Sequence, residues 1–333
     1  MSATHSEAHV ARQAGDRLGR LARRINAREP GLPLAVLALV VFFALQSDVF
    51  LTVPNWQNVA LQAAALALVA FGQCFVILTA GIDLSVGSTV ALASVVTAIV
   101  MQDTNIAVGI LAGVGAGLGV GLVNGFVITV LRVMPFVATL AMLSIASGLA
   151  LSWSGGTPVS GLPPDFISIA RDRLFGVPVP AVIAAGVFVL GYLVLRYTRL
   201  GRYLYAVGGN AEAARLSGID VRLVTASAYV ICSFFAACAA IVLTARVASG
   251  QPTLGASLAL ESVAAVVIGG VSLFGGRGSI VGVFFGVAFV SILRNGLNLM
   301  NVSSYTQLLV LGIALIAVIA LDRRFSRESA EEG

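Results

Sequence analysis

Two carboxylates lie inside otherwise apolar sequence, and they are the side chains there most able to bind a polar solute. Asp83 stands in LTAGIDLSVGS and Glu261 stands in GASLALESVAAVVIGG. A charged group in such surroundings is costly, so it usually faces a cavity, a partner or an interface. Ser85 and Asn124 add a hydroxyl and an amide in nearby apolar stretches. We therefore treat these four residues as candidates for a polar path or its gate.

Asp83 allows two interpretations. In the first, it caps the helix that follows it, and its carboxylate accepts hydrogen bonds from the free amides of LSVGS. In the second, it lies deeper, at a broken helix that lines a path for a polar solute. The flanking Gly81 and Gly87 permit either backbone, so the sequence leaves both interpretations open.

Catalytic and metal-binding constellations are missing from the sequence. The two histidines, His5 and His9, lie in the polar N-terminal part, and Cys74, Cys232 and Cys238 lie in apolar runs without metal-ligand spacing. The chain has no lysine, which excludes a phosphate-binding loop of the GxxxxGK[ST] type. We expect a chain that is not an enzyme and holds neither a metal nor a cofactor. Any ATP and magnesium would be bound by a separate polypeptide.

The composition places these residues in a membrane protein. Of the 333 residues, 58% are hydrophobic and only 11% are charged, whereas soluble domains carry about 25% charged residues. Apolar runs of roughly the 20 residues that a bilayer requires occur at 32–47, 57–79, 84–102, 105–131, 134–153, 176–195, 223–245, 257–274, 279–294 and 304–321. The sequence thus predicts an all-α integral membrane protein with about ten transmembrane helices, some of them broken or re-entrant.

The arginines predict the orientation of these spans. With ten spans and both termini in the cytoplasm, most arginines fall on the cytoplasmic side, which is the usual bias. The exceptions are Arg171, Arg173, Arg246 and Arg294. This placement at span ends also accounts for the basic charge without nucleic-acid binding. This arrangement predicts a basic cytoplasmic tail (1–29), a transmembrane domain (30–322) and a cytoplasmic C-terminal tail (323–333).

The first apolar run has a second interpretation. Basic residues before a short apolar stretch also describe a signal peptide. No small-x-small cleavage site follows clearly in FALQSDVF. We therefore expect a retained first helix in the bacterial inner membrane.

The longest inner connection, at about 196–222, contains a short helix signal. In NAEAARLSG, Asn210 is a suitable N-cap and Gly218 a suitable stop. A short capped helix on the cytoplasmic face is either a docking element for a partner or a local turn that binds no partner.

A glycine stripe marks the fourth run. Gly109, Gly113, Gly117, Gly121 and Gly125 recur every four residues and fall roughly along one helix face. Such a face lets another backbone approach closely. The stripe could instead form the smooth wall of a path, although helix packing is favoured.

Several ordered motifs together resemble one protein family. They are FLTVPNWQNV (50–59), GIDLSVGS (81–88), LVNGFVIT (122–129), PFVATLAML (135–143), GRYLYAVGGNAEAARLSGIDV (201–221), AAVVIGGVSLFGGRGSIVG (264–282) and NGLNLMNVSS (295–304). The chain resembles the permease subunits of bacterial ATP-binding-cassette importers for ribose, xylose and related sugars, in the branched-chain amino acid and sugar permease superfamily. One departure is the single Pro135, where related sequences often carry two prolines.

The resemblance implies specific partners. It implies a homodimeric pore in lipid, a cytoplasmic ATPase that binds ATP and magnesium, and a periplasmic sugar-binding protein. It also implies that the inner connection couples the pore to the ATPase through Gly208, Gly209, Asn210, Glu212, Ala213, Ala214, Arg215, Gly218 and Ile219. Asp83 matches the GIDLSVG position, which leaves open whether it touches sugar or holds a helix break.

Two alternatives for the function remain. The same scaffold could carry a nucleoside, a polyol or a furanosyl signal, because the shared motifs do not encode the cargo. A transporter of another class, driven by ions through Asp83 and Glu261, is also conceivable. The coupling pattern argues against it, as does the absence of histidine from the apolar runs.

Overall fold

The computed structural model describes residues 31–303 and 305–313, and this part of the chain is mostly helical. Its helices are α1 (Gly31–Gln46), α2 (Val53–Leu78), α3 (Val86–Asp103), α4 (Ile106–Thr129), α5 (Pro135–Ser154), α6 (Pro164–Arg171), α7 (Val179–Tyr197), α8 (Arg199–Gly209), α9 (Ala211–Leu216), α10 (Val221–Val247), α11 (Leu258–Ile268) and α12 (Ile280–Leu299). Residues 305–313 are also helical. The predicted tails 1–29 and 323–333 lie outside the described residues, so the domain division stays a prediction.

The helices match the predicted spans. Within the described residues, α2, α3, α4, α5, α7, α10 and α12 are long and apolar enough to cross a membrane, and α1 and α11 are shorter apolar helices. With the helical residues 305–313, they occupy the ten apolar runs. The prediction of an all-α, multi-span membrane protein is confirmed. We call the side that carries α8 and α9 the inner side.

Helices α2 and α10 form the centre of the bundle. Most of α2 is buried, whereas α4, α5 and α7 turn much of their apolar surface outward, as lipid-facing helices do. On the outer side, β1 (Val159–Ser160) pairs with β4 (Ser249–Gly250), and β2 (Arg173–Leu174) pairs with β3 (Val177–Pro178). The β1–β4 ladder ties the long outer loop to the residues just after α10, whereas the β2–β3 ladder is a hairpin within that loop.

The glycine stripe of α4 lies between helices. Gly109 and Gly113 lie against α3, and the other three stripe glycines lie against α10. A β-carbon placed at Gly117 would lie 2.7 Å from Cβ of Ala237, which is closer than side chains tolerate. The stripe thus lets α4 pack closely against both neighbours, as the packing interpretation expects.

The connection between α10 and α11 enters the bundle instead of staying at its surface. A β-carbon at Gly250 would lie 2.8 Å from the carbonyl oxygen of Ser94, and one at Gly255 would lie 3.2 Å from that of Gly87. The chain therefore descends about 10 Å along α3 through the turn-rich residues 251–257. The eighth span differs from its predicted range (257–274), because only 258–268 are helical, and 269–274 belong to the connection that leads to α12.

Candidate functional site

The connection between α2 and α3 brings three of the predicted residues together. Oδ1 of Asp83 accepts hydrogen bonds from the backbone N–H of Ser85 (2.8 Å) and from its hydroxyl (2.6 Å). Nδ2 of Asn124, on α4, donates to the same hydroxyl at 2.9 Å. All three side chains are buried. We call them the Asp83 network.

The Asp83 network lies deeper in the bundle than the inner ends of α2 and α4. Nε2 of Gln73 donates to the backbone oxygen of Asp83 at 3.2 Å. Gln73 precedes the end of α2 by five residues, and Asn124 precedes the end of α4 by five, which is about 7.5 Å of helix. Asp83 thus binds the amide at the start of α3 from within the bundle. The structure shares a local bond between carboxylate and amide with the first interpretation and a buried helix break with the second. The amide belongs to Ser85, the N-cap residue itself, and not to the first turn of α3.

Tyr229 of α10, which is not among the residues predicted from the sequence, contacts this break. A β-carbon placed at Gly81 would overlap its hydroxyl. Among the described residues, neither this hydroxyl nor Oδ2 of Asp83 has a hydrogen-bond partner, and both are buried. A tyrosine in an apolar run gives no sequence signal for such a position, because its spacing is that of any core aromatic residue.

Glu261 lies apart from the Asp83 network. It occupies the first turn of α11, where it forms an ion pair with Arg294 of α12. The Glu261 side chain is 3% exposed, whereas the Arg294 side chain is 45% exposed. The four predicted path residues therefore divide into a network of three and a separate ion pair. Their role in gating stays a prediction.

The unequal exposure of the ion pair predicts unequal effects of substitution. Arg294→Ala leaves a carboxylate buried without its partner, which costs up to about 3 kcal/mol. Glu261→Gln leaves an arginine that is half-exposed, so we expect a smaller loss of stability. Thermal unfolding of the purified variants in one detergent measures the difference. Equal losses would contradict this account, and Glu261→Gln added to Arg294→Ala should recover part of the loss.

The inner surface carries a helical pair formed by α8 and α9. The side chain of Asn210 accepts a hydrogen bond from the backbone N–H of Ala213 at 2.9 Å, so Asn210 caps α9. Gly218 ends this segment with a φ of 82°. Glu212 and Arg215 form an exposed ion pair, and the hydrogen bond from Arg215 lowers the pKa of the Glu212 carboxyl below its ordinary value.

The predicted coupling residues differ in how far they are exposed on this surface. Ala214 is buried against the bundle, and Gly208 and Ile219 are half-buried. The remaining members are exposed, namely Gly209, Asn210, Glu212, Ala213, Arg215 and Gly218. Leu216, which the sequence analysis did not name, is 76% exposed on α9. The exposed surface of this segment therefore carries both charged and apolar side chains.

Helix α8 contacts two inner connections at once. The Tyr205 hydroxyl donates to the backbone oxygen of Gly278 at 2.9 Å, which ties α8 to the connection between α11 and α12. Gly208 lies so close to the end of α2 that a β-carbon there would overlap the carbonyl oxygen of Leu78. The backbone N–H of Gly276 donates to the same oxygen at 3.0 Å. The two connections and α8 therefore form one packed unit.

These features define a class of protein. An apolar bundle in which α3 and α11 begin at depth, and a capped surface segment packed on the inner connections, has the architecture of a transport permease. The chain belongs to the family described as "Branched-chain amino acid transport system / permease component", whose model matches residues 55–319. The family resemblance seen in the motifs is confirmed, and the family is that of a transport component rather than an enzyme.

Three curated relatives cover most of the chain. It is 44% identical to the ribose import permease protein RbsC of Bacillus subtilis over 88% of this chain and 92% of the relative. It is 40% identical to RbsC of Escherichia coli K12 over 87% and 92%. It is 36% identical to the D-allose transport system permease protein AlsC of Escherichia coli K12 over 88% and 91%. No solved structure matches the chain.

Proposed function

We propose that this chain is the membrane-spanning subunit of a binding-protein-dependent ABC importer, and that it carries a monosaccharide of the ribose type. Its family membership supports transport, and the names of its relatives support a sugar as cargo. A partner ATPase binds ATP and magnesium, and an external binding protein delivers the sugar.

The packing of α8 on both inner connections is the observation that most directly supports coupling between the ATPase and this subunit. One connection leads from α2 through Asp83 into α3, and the other leads from α11 to α12. A displacement of α8 and α9 by a cytoplasmic ATPase would therefore reach both of these connections together. Because packed interfaces switch between discrete arrangements, a small displacement can change the state of the path.

The proposal also sets the assembly and orientation. The inner side faces the cytoplasm of the bacterial inner membrane, as the arginine distribution favours, and both termini lie there. Two copies form the pore, and lipid surrounds the outward apolar faces. Cross-linking across the purified complex, and the accessibility of a tag at each terminus, would test these points.

ATP hydrolysis in a reconstituted complex tests the cargo. The chain would be placed in nanodiscs with its ATPase and binding protein, and the binding protein would be loaded with pentoses, hexoses, polyols or nucleosides. We expect stimulation by one monosaccharide, because a loaded binding protein shifts the permease towards its transporting state. Stimulation only by a nucleoside or a polyol would contradict the sugar assignment and favour the alternative cargo.

A further inference from the structure

A cavity of about 300 Å³ lies between α3, α5 and the irregular segment 251–257. Ser88, Ser147 and Thr253 bring hydroxyl groups to its wall. Leu143 and Leu151 are among the apolar residues that form the rest. Its volume is at the lower end of the range of small-molecule sites, about 300–1,000 Å³.

The cavity lies near the middle of the membrane. Ser147 follows the start of α5 at Pro135 by twelve residues, which is about 18 Å along a helix of about 30 Å. Gly255, in the irregular segment, packs against Val90 of α3. Transporters place cargo sites at this depth, where interrupted helices meet. Here α3 and α11 both begin beside the cavity.

The irregular segment presents polar backbone groups at this depth. Among the described residues, the carbonyl oxygens of Pro252, Thr253 and Leu254 receive no hydrogen bond. The hydroxyls of Ser147 and Thr253 likewise have no hydrogen-bond partner among the described residues. Non-helical backbone at membrane depth is tolerated where it is buried in protein or lines a water-filled cavity. These groups can therefore bind water or a polar solute in the cavity.

The wall chemistry fits a neutral solute with several hydroxyl groups. No charged side chain lines the cavity among the described residues, so neither an anion nor a cation would find a countercharge. Carbonyl oxygens accept hydrogen bonds, and hydroxyls both donate and accept them, which matches the hydroxyls of a sugar. The leucines fit the apolar face of its ring.

We propose that this cavity is a transient binding site for the cargo, where Ser88, Ser147, Thr253 and the backbone of 252–254 bind its hydroxyl groups during passage. The proposal rests on the proposed function, since it assigns the site of that transport. The connection that leads into α3 and the connection that follows α11 both pack on α8. Displacement of α8 would therefore open or close this site.

Protection of an engineered cysteine tests the site. Ser147→Cys would be labelled with a charged methanethiosulfonate reagent in the reconstituted complex. The sugar that stimulates ATP hydrolysis in the panel would be supplied on its binding protein, starting with D-ribose. We expect Ser147→Cys to react and the sugar to slow the reaction severalfold during turnover. Ser144→Cys, one turn away on α5 and outside the cavity wall, is the matched control and should show no protection.

The outcomes separate the two proposals. If the sugar stimulates ATP hydrolysis but Ser147→Cys is unreactive, or reacts equally with and without sugar, the cavity assignment is wrong while the transport function stands. If no sugar stimulates hydrolysis, the proposed function fails and the assignment with it. The unsubstituted protein, in which Cys74 and Cys232 are buried and Cys238 is half-buried, measures the background labelling.

A second pair of variants tests the contact itself. Thr253→Val keeps the shape of the side chain but removes its hydroxyl, and Thr253→Ser keeps the hydroxyl. We expect Thr253→Val to lower the sugar transported per ATP hydrolysed severalfold and Thr253→Ser to retain it. Equal values for the two variants would argue against a hydroxyl contact at this position.

Discussion

Gly208→Ala is expected to lower sugar transport at least about tenfold, whereas Gly209→Ala leaves it near the level of the unsubstituted protein. A β-carbon at Gly208 would overlap the carbonyl oxygen of Leu78 and lie 2.6 Å from the backbone nitrogen of Gly276. Both atoms belong to backbone, so α8 itself must move. Overpacking of this kind costs about 1–3 kcal/mol, and about 1.4 kcal/mol in a barrier is a tenfold change in rate.

The neighbouring glycine makes a matched control. A β-carbon at Gly209 would have no heavy atom within 4 Å, and alanine is favoured over glycine in a helix by about 1 kcal/mol. The measurement is transport together with ATP hydrolysis stimulated by the loaded binding protein, after size-exclusion chromatography shows that both variants remain folded. Equal activities for the two variants would contradict the role of the α8 contact in coupling.

Local signals explain what the sequence predicted well. Asn210 caps α9 because its side chain needs only the backbone N–H of Ala213, three residues away. The glycine stripe packs on neighbours because a four-residue spacing places glycines on one face of any helix. Such features depend on nearby residues and on helix geometry, so they can be predicted without knowing which helices meet.

Contacts between distant segments could not be predicted in the same way. Glu261 and Arg294 are 33 residues apart, and in the sequence Glu261 resembles Asp83, because both are carboxylates in apolar stretches. The position of Tyr229 beside Gly81 likewise depends on how α10 packs. The turn signal in QPTLG, which contains Pro252 and Gly255, lies in the irregular segment, just before the predicted apolar run 257–274.

Asp83→Asn is expected to retain most ATP-driven transport, and Asp83→Val is expected to abolish nearly all of it. The amide oxygen of asparagine can accept both hydrogen bonds from Ser85 that Oδ1 accepts now. Valine removes this acceptor and leaves the buried N–H of Ser85 unpaired, which costs about 1–3 kcal/mol. It also removes what holds the chain at the start of α3. Uptake of labelled sugar into proteoliposomes that contain ATP and the full complex is the measurement.

The same pair of variants separates an ATP-driven permease from an ion-driven transporter. An ion-driven mechanism needs a carboxyl at Asp83 that changes its charge during the cycle, so Asp83→Asn would be as damaging as Asp83→Val. In the proposed importer, Asp83 acts through the bonds of Oδ1, because Oδ2 has no partner among the described residues. A neutral amide also costs less to bury than a carboxylate. Loss of transport in Asp83→Asn, with uptake abolished by a protonophore at constant ATP, would overturn the ATP-driven mechanism.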